Sequence, residues 1–434
     1  MLLYRYFLVG YAFLLILLYS VLGLKTDITP ISYTFVLVAN IYMVICSRRN
    51  FLLFLVAFIL FFSNYSIIYA NFAGTIHDVF TTILSESTFA ISLNVLVLLN
   101  IFIFFFVRWD CVPDGFTKNV FVDPERKDTI IIYFLYFLLI PIFFLGFTVP
   151  EVEGQRGTSS PIYEYSAILF ILFFFYYGEQ TWHKRFGLLL VGIFSLQSFI
   201  YGGRIEAIQF ILVAYVMLYM HKISMFKVMI GMGIMFFLMS VIGYVRGELL
   251  SGNADIGAIF SSLASTGFAL DTAYSAYYTS ESFVYSMDKY SFQEILIFFV
   301  EFIKSIIISS DPNMHLTAIS SNHVMHYGGG LLPFYFYFYL GVIGVVLAGL
   351  LAAFYLNKVI KLEESSSGYL KCLSIWVVCT AFRWYLYTPM PLLRGVIFLT
   401  IAYYSFAYLH YQLDRLPLIR NLQNESDNSL ESAS

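Results

Sequence analysis

Charge is what this chain has least of. Asp, Glu, Lys and Arg make up 12% of its 434 residues, about half the share of an ordinary soluble domain. So few charged groups cannot cover a water-facing surface, which excludes a soluble catalytic domain and places the chain in lipid. Cysteine is also scarce, with four in all. Cys46, Cys372 and Cys379 fall in or at the ends of apolar runs, so no disulfide framework is expected. A glycine loop of the Walker type is missing, and with it the usual device for binding ATP. No internal repeat is visible.

What fills the chain is apolar: 60% of residues are hydrophobic and 20% are aromatic. Apolar runs of the length that crosses a bilayer, roughly 20 residues, recur from end to end. Twelve spans are expected, at 6–24, 31–46, 51–70, 87–107, 129–149, 161–177, 186–201, 207–220, 228–245, 331–356, 372–387 and 396–411. Arg5 precedes the first as it would in a signal peptide, but the run is too long and no small-residue cleavage site follows, so the span is retained. The Phe and Tyr content suits lipid-facing surfaces and interfacial belts.

Basic residues set the orientation, because loops rich in Lys and Arg stay in the cytoplasm. With the N-terminus inside, the inner segments hold sixteen of the twenty-four Lys and Arg residues. The outer segments hold seven: Lys25, Arg156, Arg204, Arg246, Lys289, Lys304 and Arg394. Arg383 lies within a span. The expected fold is therefore an all-α polytopic integral membrane protein of about 12 transmembrane helices, with both termini cytoplasmic. Residues 1–245 carry helices one to nine, 246–330 form a large outer loop, 331–411 carry helices ten to twelve, and the polar tail 412–434 is expected to be disordered. Within the loop, residues 292–309 are apolar enough to cross. Glu294, Glu301 and Lys304 nevertheless fall along one helical stripe, and a crossing here would export the basic segment Lys358–Lys371. An amphipathic helix at the outer interface, or dipping into the protein, is expected instead.

The long loop is where chemistry is expected, since it is the one extended segment that is neither continuously apolar nor short. It opens on Arg246-Gly247-Glu248 and ends in His315, His323 and His326 ahead of Gly328-Gly329-Gly330. Three of the seven histidines fall within these twelve positions. Histidine serves as a general base near neutral pH, and a carboxylate beside a cation, as Glu248 is beside Arg246, is a sensible second candidate. Arg204, Arg246, Arg383 and Arg394 are candidates for holding a diphosphate, because a guanidinium grips phosphate oxygens in pairs and keeps its charge. Placing Arg383 inside a span costs about 2.5–3.5 kcal/mol on insertion scales, and such residues usually face a bundle interior or an aqueous cavity. Arg204 follows Gly202-Gly203 in a tight hinge between two apolar runs. No Asp-x-Asp pair lies on the outer side, so a metal-dependent nucleotide-sugar transferase is not supported. No metal and no cofactor are expected.

These features resemble the bacterial O-antigen polymerases of the Wzy type, themselves related to the O-antigen ligases. The resemblance rests on the Phe- and Tyr-rich spans, Gly202-Gly203-Arg204, the late outer loop opening at Arg246, and Gly257 after it. His326, Gly328-Gly329-Gly330 and Gly341-Val342-Ile343-Gly344 complete it. It implies an inner-membrane glycosyltransferase that polymerises oligosaccharide repeat units carried on undecaprenyl diphosphate, at the periplasmic face. The growing glycan would pass to the non-reducing end of a new unit. Glu248, His323 or His326 would serve as base, and Arg204, Arg246, Arg383 and Arg394 would hold the diphosphate. Its partners would be the lipid-linked oligosaccharide, membrane lipid, a chain-length regulator and a flippase, with no nucleic acid. The alternatives are an O-antigen ligase and, from another class, a repeat-unit flippase or other transporter.

Overall fold

The computed structural model describes residues 29–48, 50–73, 84–109, 129–148, 158–178, 180–200, 203–219, 224–251, 269–308, 311–326, 328–360 and 367–415, together with positions 6, 7, 10 and 257. In chain order the helices are α1 (Thr29–Ser47), α2 (Phe51–Ala73), α3 (Glu86–Phe106), α4 (Thr129–Leu145), α5 (Pro161–Tyr165), α6 (Ala167–Tyr176), α7 (Thr181–Ile200), α8 (Arg204–Tyr219) and α9 (Met225–Ser251). They continue with α10 (Asp271–Met287), α11 (Phe292–Ile307), α12 (Leu316–Ser321), α13 (Leu332–Ile360), α14 (Gly368–Cys379), α15 (Ala381–Leu386) and α16 (Arg394–Asp414). Among the described residues the only strands are a two-residue antiparallel pair, with Phe147 opposite Ser159 and Thr148 opposite Thr158. Among the described residues three helices, Phe51–Phe72, Glu86–Phe106 and Leu332–Ile360, are long and apolar enough to cross a membrane. Shorter apolar helices accompany them, among them Ile31–Ser47, Phe226–Ile242 and Gly368–Cys379. The chain is an all-helical protein whose apolar helices are compatible with a membrane.

Several expected spans differ in ways that the backbone explains. The span 6–24 and the tail beyond residue 415 lie outside the described residues, apart from positions 6, 7 and 10. The run 161–177 is two helices, broken at Ser166, whose Oγ donates to the carbonyl of Tyr163 at 2.7 Å. The run 372–387 breaks at Thr380 into α14 and α15. The helix expected over 228–245 continues to Ser251, so Arg246-Gly247-Glu248 lies on its last turns and not in the mouth of a loop. Inside α13, Gly341 adopts φ 58° and ψ −142°, which interrupts the helix and strongly favours a residue without Cβ. Only three residues further on, a Cβ on Gly344 would sit 2.0 Å from the carbonyl oxygen of Phe336. Gly344→Ala must therefore push the two halves of α13 apart, at about 1–3 kcal/mol for an overpacked contact. A lowered melting temperature of the purified protein would register it.

The chain divides into two compact units: residues 1–117, 221–366 and 377–394 form the first, and residues 118–220, 367–376 and 395–434 form the second. This differs from the expected split at 245 and 330, because contacts in space do not follow chain order. In the second unit α8 packs on α6 and α7, and α4 packs on α6. The Tyr163 hydroxyl donates to the carbonyl of Phe194 at 2.9 Å with the two rings stacked.

In the first unit α1 packs on both α2 and α3, and α13 lies against α3. Each of the first three helices contributes one buried asparagine. Asn40 Nδ2 donates to Asn100 Oδ1 at 2.9 Å, and Asn64 Nδ2 lies 3.2 Å from both Asn40 Oδ1 and Asn100 Oδ1. The Tyr385 hydroxyl of α15 completes the cluster, donating to Asn64 Oδ1 at 2.6 Å. Interhelical amide bonds of this kind register helices against each other where the hydrophobic effect is weak.

The largest departure concerns the segment 246–330, expected as an aqueous-facing loop. Its centre, α10, is a helix packed against α2, α3, α12, α13 and α15, with most of its side chains buried. Sequence hydropathy undervalues this helix because it is built from Ser, Thr, Ala and Tyr. Three of those hydroxyls are nevertheless satisfied at home: Thr279 donates to the carbonyl of Ser275, Ser280 to that of Ala276, and Ser282 to that of Thr279. A polar helix whose groups bond its own backbone, and whose small residues admit close neighbours, can be buried at little cost.

The amphipathic segment forms α11, opened by a capping box in which Ser291 and Glu294 satisfy each other's backbone N–H. Phe302 packs on Phe336 and Tyr339 of α13. Phe292, Leu296, Val300, Ile303 and Ile307 are left uncovered, so only part of the helix's broad apolar face is packed. Glu301 and Lys304 pair on the opposite, polar side at 3.0 Å.

Candidate functional site

Of the sequence-predicted residues, His326 and Arg383 lie on the segments where α10 meets the loop before α13 and the irregular stretch around α15. Gly328 and Gly329 have φ of 82° and 79°, a backbone that L side chains resist. Gly330 is packed so tightly that a Cβ would meet the Phe283 ring at 2.5 Å. The glycine run is then tied down on both sides. The Gly328 carbonyl accepts from Thr279 Oγ1 at 3.3 Å, and the Leu331 N–H donates to Ser280 Oγ at 2.8 Å, both on α10. On the other side the Gly330 N–H donates to the Leu386 carbonyl at 3.2 Å, and the Tyr335 hydroxyl donates to the Tyr387 carbonyl at 2.8 Å.

His326 is held by this loop. The Gly328 N–H points at Nδ1 from 3.1 Å, so the ring proton belongs on Nε2, which donates to Ser320 Oγ at 2.7 Å. Ser320 in turn donates to the Thr317 carbonyl at 3.2 Å. Burial, opposed by a backbone hydrogen bond at Thr317, holds the His326 pKa below the ordinary histidine value. His326 is thus neutral at pH 7, with both nitrogens engaged. His323 is exposed, and its Nε2 lies 2.9 Å from the Tyr290 hydroxyl. The pKa of His315 is also lowered, first by partial burial and then by the Arg394 charge, with Asp311 opposing.

Of the four predicted diphosphate ligands, the structure places two in this region. Arg383 is half-buried on the short helix α15, and its carbonyl accepts the N–H groups of Tyr387 at 2.9 Å and Thr388 at 3.1 Å. Arg394 donates to the carbonyl of Ser305 and, at 3.4 Å, to that of Ile308. Its guanidinium therefore caps the C-terminus of α11, where orphan carbonyls and the helix dipole favour a cation. Arg394→Ala is expected to fray the last turn of α11, which faster amide hydrogen exchange at residues 304–308 would show. Arg394→Lys should restore only part of the protection, because an ammonium lacks the planar fork.

Arg204 falls in the second unit, half-buried as the first residue of α8. The backbone there turns tightly: Gly203 N–H donates to the Ser198 carbonyl at 2.7 Å, and Glu206 behind it is 8% exposed with its Oε2 lacking a hydrogen bond. Arg246 and Glu248 lie on α9, with side chains outside the described residues. Among the described residues no group of three or more His, Cys, Asp or Glu side chains stands ready to hold a metal ion.

Two polar centres escaped the reading of functional residues. One is the asparagine cluster with Tyr385, whose sequence signal is an Asn inside each of three successive apolar runs: Asn40, Asn64 and Asn100. The other is Glu281 of α10, 5% exposed, with Tyr277 one turn earlier on the same helix and fully buried. Burial pushes the Glu281 carboxyl up to about 8, against a smaller opposing influence of the Tyr277 hydroxyl. Tyr277 is raised in turn by its own burial and by Glu281. No protein-family model matches the chain, and no curated protein or solved structure is significantly similar to it. The class defined so far is an all-helical protein whose apolar helices suit a membrane, with buried polar centres in its first unit.

Proposed function

We propose that this chain is a membrane glycosyltransferase that polymerises oligosaccharide repeat units carried on undecaprenyl diphosphate. In this reading it spans the bacterial inner membrane about twelve times with both termini in the cytoplasm. The site then opens on the periplasmic side, roofed by α11. The observation that carries the reading is Arg383: a half-buried guanidinium on a broken helix, beside a glycine loop held in left-handed backbone. Intramembrane arginine is costly and marks function more often than structure, and bidentate contact to a diphosphate is what a guanidinium does best.

In the reaction the acceptor hydroxyl, at the non-reducing end of a newly delivered unit, attacks the anomeric carbon of the growing glycan. The bond from that carbon to the diphosphate oxygen breaks, and its electron pair leaves with undecaprenyl diphosphate. A base takes the hydroxyl proton; Glu248, His323 and His326 remain the candidates. Arg383, with Arg246, would neutralise the departing diphosphate. Arg394 would position α11 instead, since its fork is spent on that helix. The lipid diphosphate is already an activated donor, so the step needs no nucleotide.

Inspecting surface polysaccharide from a strain lacking the gene tests this. A ladder of chain lengths that collapses to a single repeat unit supports polymerisation. Retention of long polymer on its lipid carrier points to the related ligase. A transporter is the second reading, favoured by the broken helices and the buried carboxyl, both common in that class. Loss of a flippase would trap repeat units on the inner leaflet with no capped product at all.

A further inference from the structure

Glu281 has no part in the glycan transfer described above. It sits in the interior of the first unit on a helix that five other elements cover. Its Oε1 and the Tyr277 hydroxyl are both buried and make no well-formed hydrogen bond. Two orphan polar atoms one helical turn apart, on one face of α10, are costly unless something occupies the space or neutralises the charge.

We propose that Glu281 and Tyr277 form a proton-binding site inside the first unit, and that its loading governs how firmly α10 and the glycine loop are held. The proposal does not depend on the polymerase reading. The charge of Glu281 responds to burial and to Tyr277, and Tyr277 in turn responds to Tyr33 of α1. The other titratable groups on the elements packed around α10 include Tyr65 and Tyr69 of α2, Glu86 of α3, Tyr335 of α13, and Arg383 and Tyr385 of α15. Helix α12 carries none. Burial is the larger influence on the Glu281 carboxyl, and the Tyr277 hydroxyl is the smaller, opposing one. A neutral acid is therefore the form that the surroundings support.

A metal ion fits less well. Hard cations collect six or more oxygens, and a single carboxylate with one phenol supplies too few. The Ser280 hydroxyl next to Glu281 is consumed by Ala276 and by Leu331 N–H. Those same bonds explain the consequence of losing the proton. Thr279 and Ser280, the two residues before Glu281, are the groups that pin Gly328 and Leu331. An unneutralised carboxylate would loosen α10 and release the loop that holds His326.

The sign of the pH effect follows from linkage. The folded state keeps the proton to about 8, whereas an unfolded glutamate loses it near 4.5. Stability from this site is full below the lower value and falls through that interval as pH rises, the folding equilibrium losing up to tenfold per pH unit.

The test uses the full-length protein in nanodiscs. Infrared difference spectra across a pH titration should show a protonated-carboxyl stretch lost with a midpoint near 8 and absent in Glu281→Gln. Melting temperature should fall over the same interval in the wild type and stay flat in the variant. Tyr277→Phe keeps the test open if Glu281→Gln fails to fold. It removes a hydroxyl that favours the charged form, so the wild-type band should persist to higher pH. A carboxyl that titrates in the ordinary range overturns the site. So does sodium chloride, but not potassium chloride, restoring alkaline stability to the wild type alone, which would make the occupant a sodium ion.

Discussion

Cells carrying Arg383→Ala are expected to display surface glycan capped by one repeat unit, with the protein still present in the membrane at normal level. Arg383 is half-buried in the first unit. It stands on a six-residue helix whose other large side chains, Trp384 and Tyr385, are buried and hydrogen-bonded. The scaffold should survive truncation of one half-buried side chain, while a donor to developing negative charge is lost. Removing one such donor typically costs a factor of roughly 10²–10³ in rate, enough to abolish chains that need many successive transfers. Arg383→Lys keeps the charge without the paired geometry, so shortened ladders are expected from it. A normal ladder from Arg383→Ala, with matched protein on an immunoblot, would remove the diphosphate role.

Asn64→Leu is expected to give the largest loss of stability of any single substitution considered for the scaffold. Asn64 makes three side-chain bonds that join α1, α2, α3 and α15. Interhelical bonds in membrane bundles average about 0.6 kcal/mol each, so their direct loss comes to roughly 2 kcal/mol. The isobutyl group also strips the Tyr385 hydroxyl of its 2.6 Å acceptor, Asn64 Oδ1, at a further cost of up to about 1–3 kcal/mol. Tyr385→Phe removes the orphan along with the bond and should recover part of the loss in the double variant. Melting curves for the two single variants and the double form the cycle that checks this. Additive effects would show that Asn64 and Tyr385 do not act on each other.

The two results separate cleanly, because one concerns a group near the proposed chemistry and the other a group that only holds helices in register. Arg383→Ala should stop polymer growth with little change in melting temperature. Asn64→Leu should lower the melting temperature first and affect polymer only as far as folded protein becomes scarce.

Much of the helical framework was legible because long apolar runs have few other fates. The helices Phe51–Ala73 and Glu86–Phe106 lie within a few residues of the expected 51–70 and 87–107. The break at Gly341 was visible only as a glycine pair, since a sequence does not reveal which glycine takes positive φ. Helix α10 was invisible to hydropathy, because the free energy of burying a hydroxyl depends on whether it has a partner. For the candidate site, His326 and the glycine run were singled out because they stand side by side in the chain. What His326 bonds to, and that Arg394 is spent on α11, was not legible, because both depend on residues far apart in the chain.

By itself, the sequence determined that this is a helical protein suited to lipid, since a chain with so little charge and so many apolar runs can satisfy its backbone there only within helices. Only the tertiary structure decided which polar groups come together: Asn40 with Asn64, Asn100 and Tyr385, the glycine loop with α10, and Glu281 with Tyr277 away from water. Hydrogen bonding and burial act over a few ångströms in space, whereas hydrophobicity accumulates along the chain, so the first needs coordinates and the second needs only the order of residues.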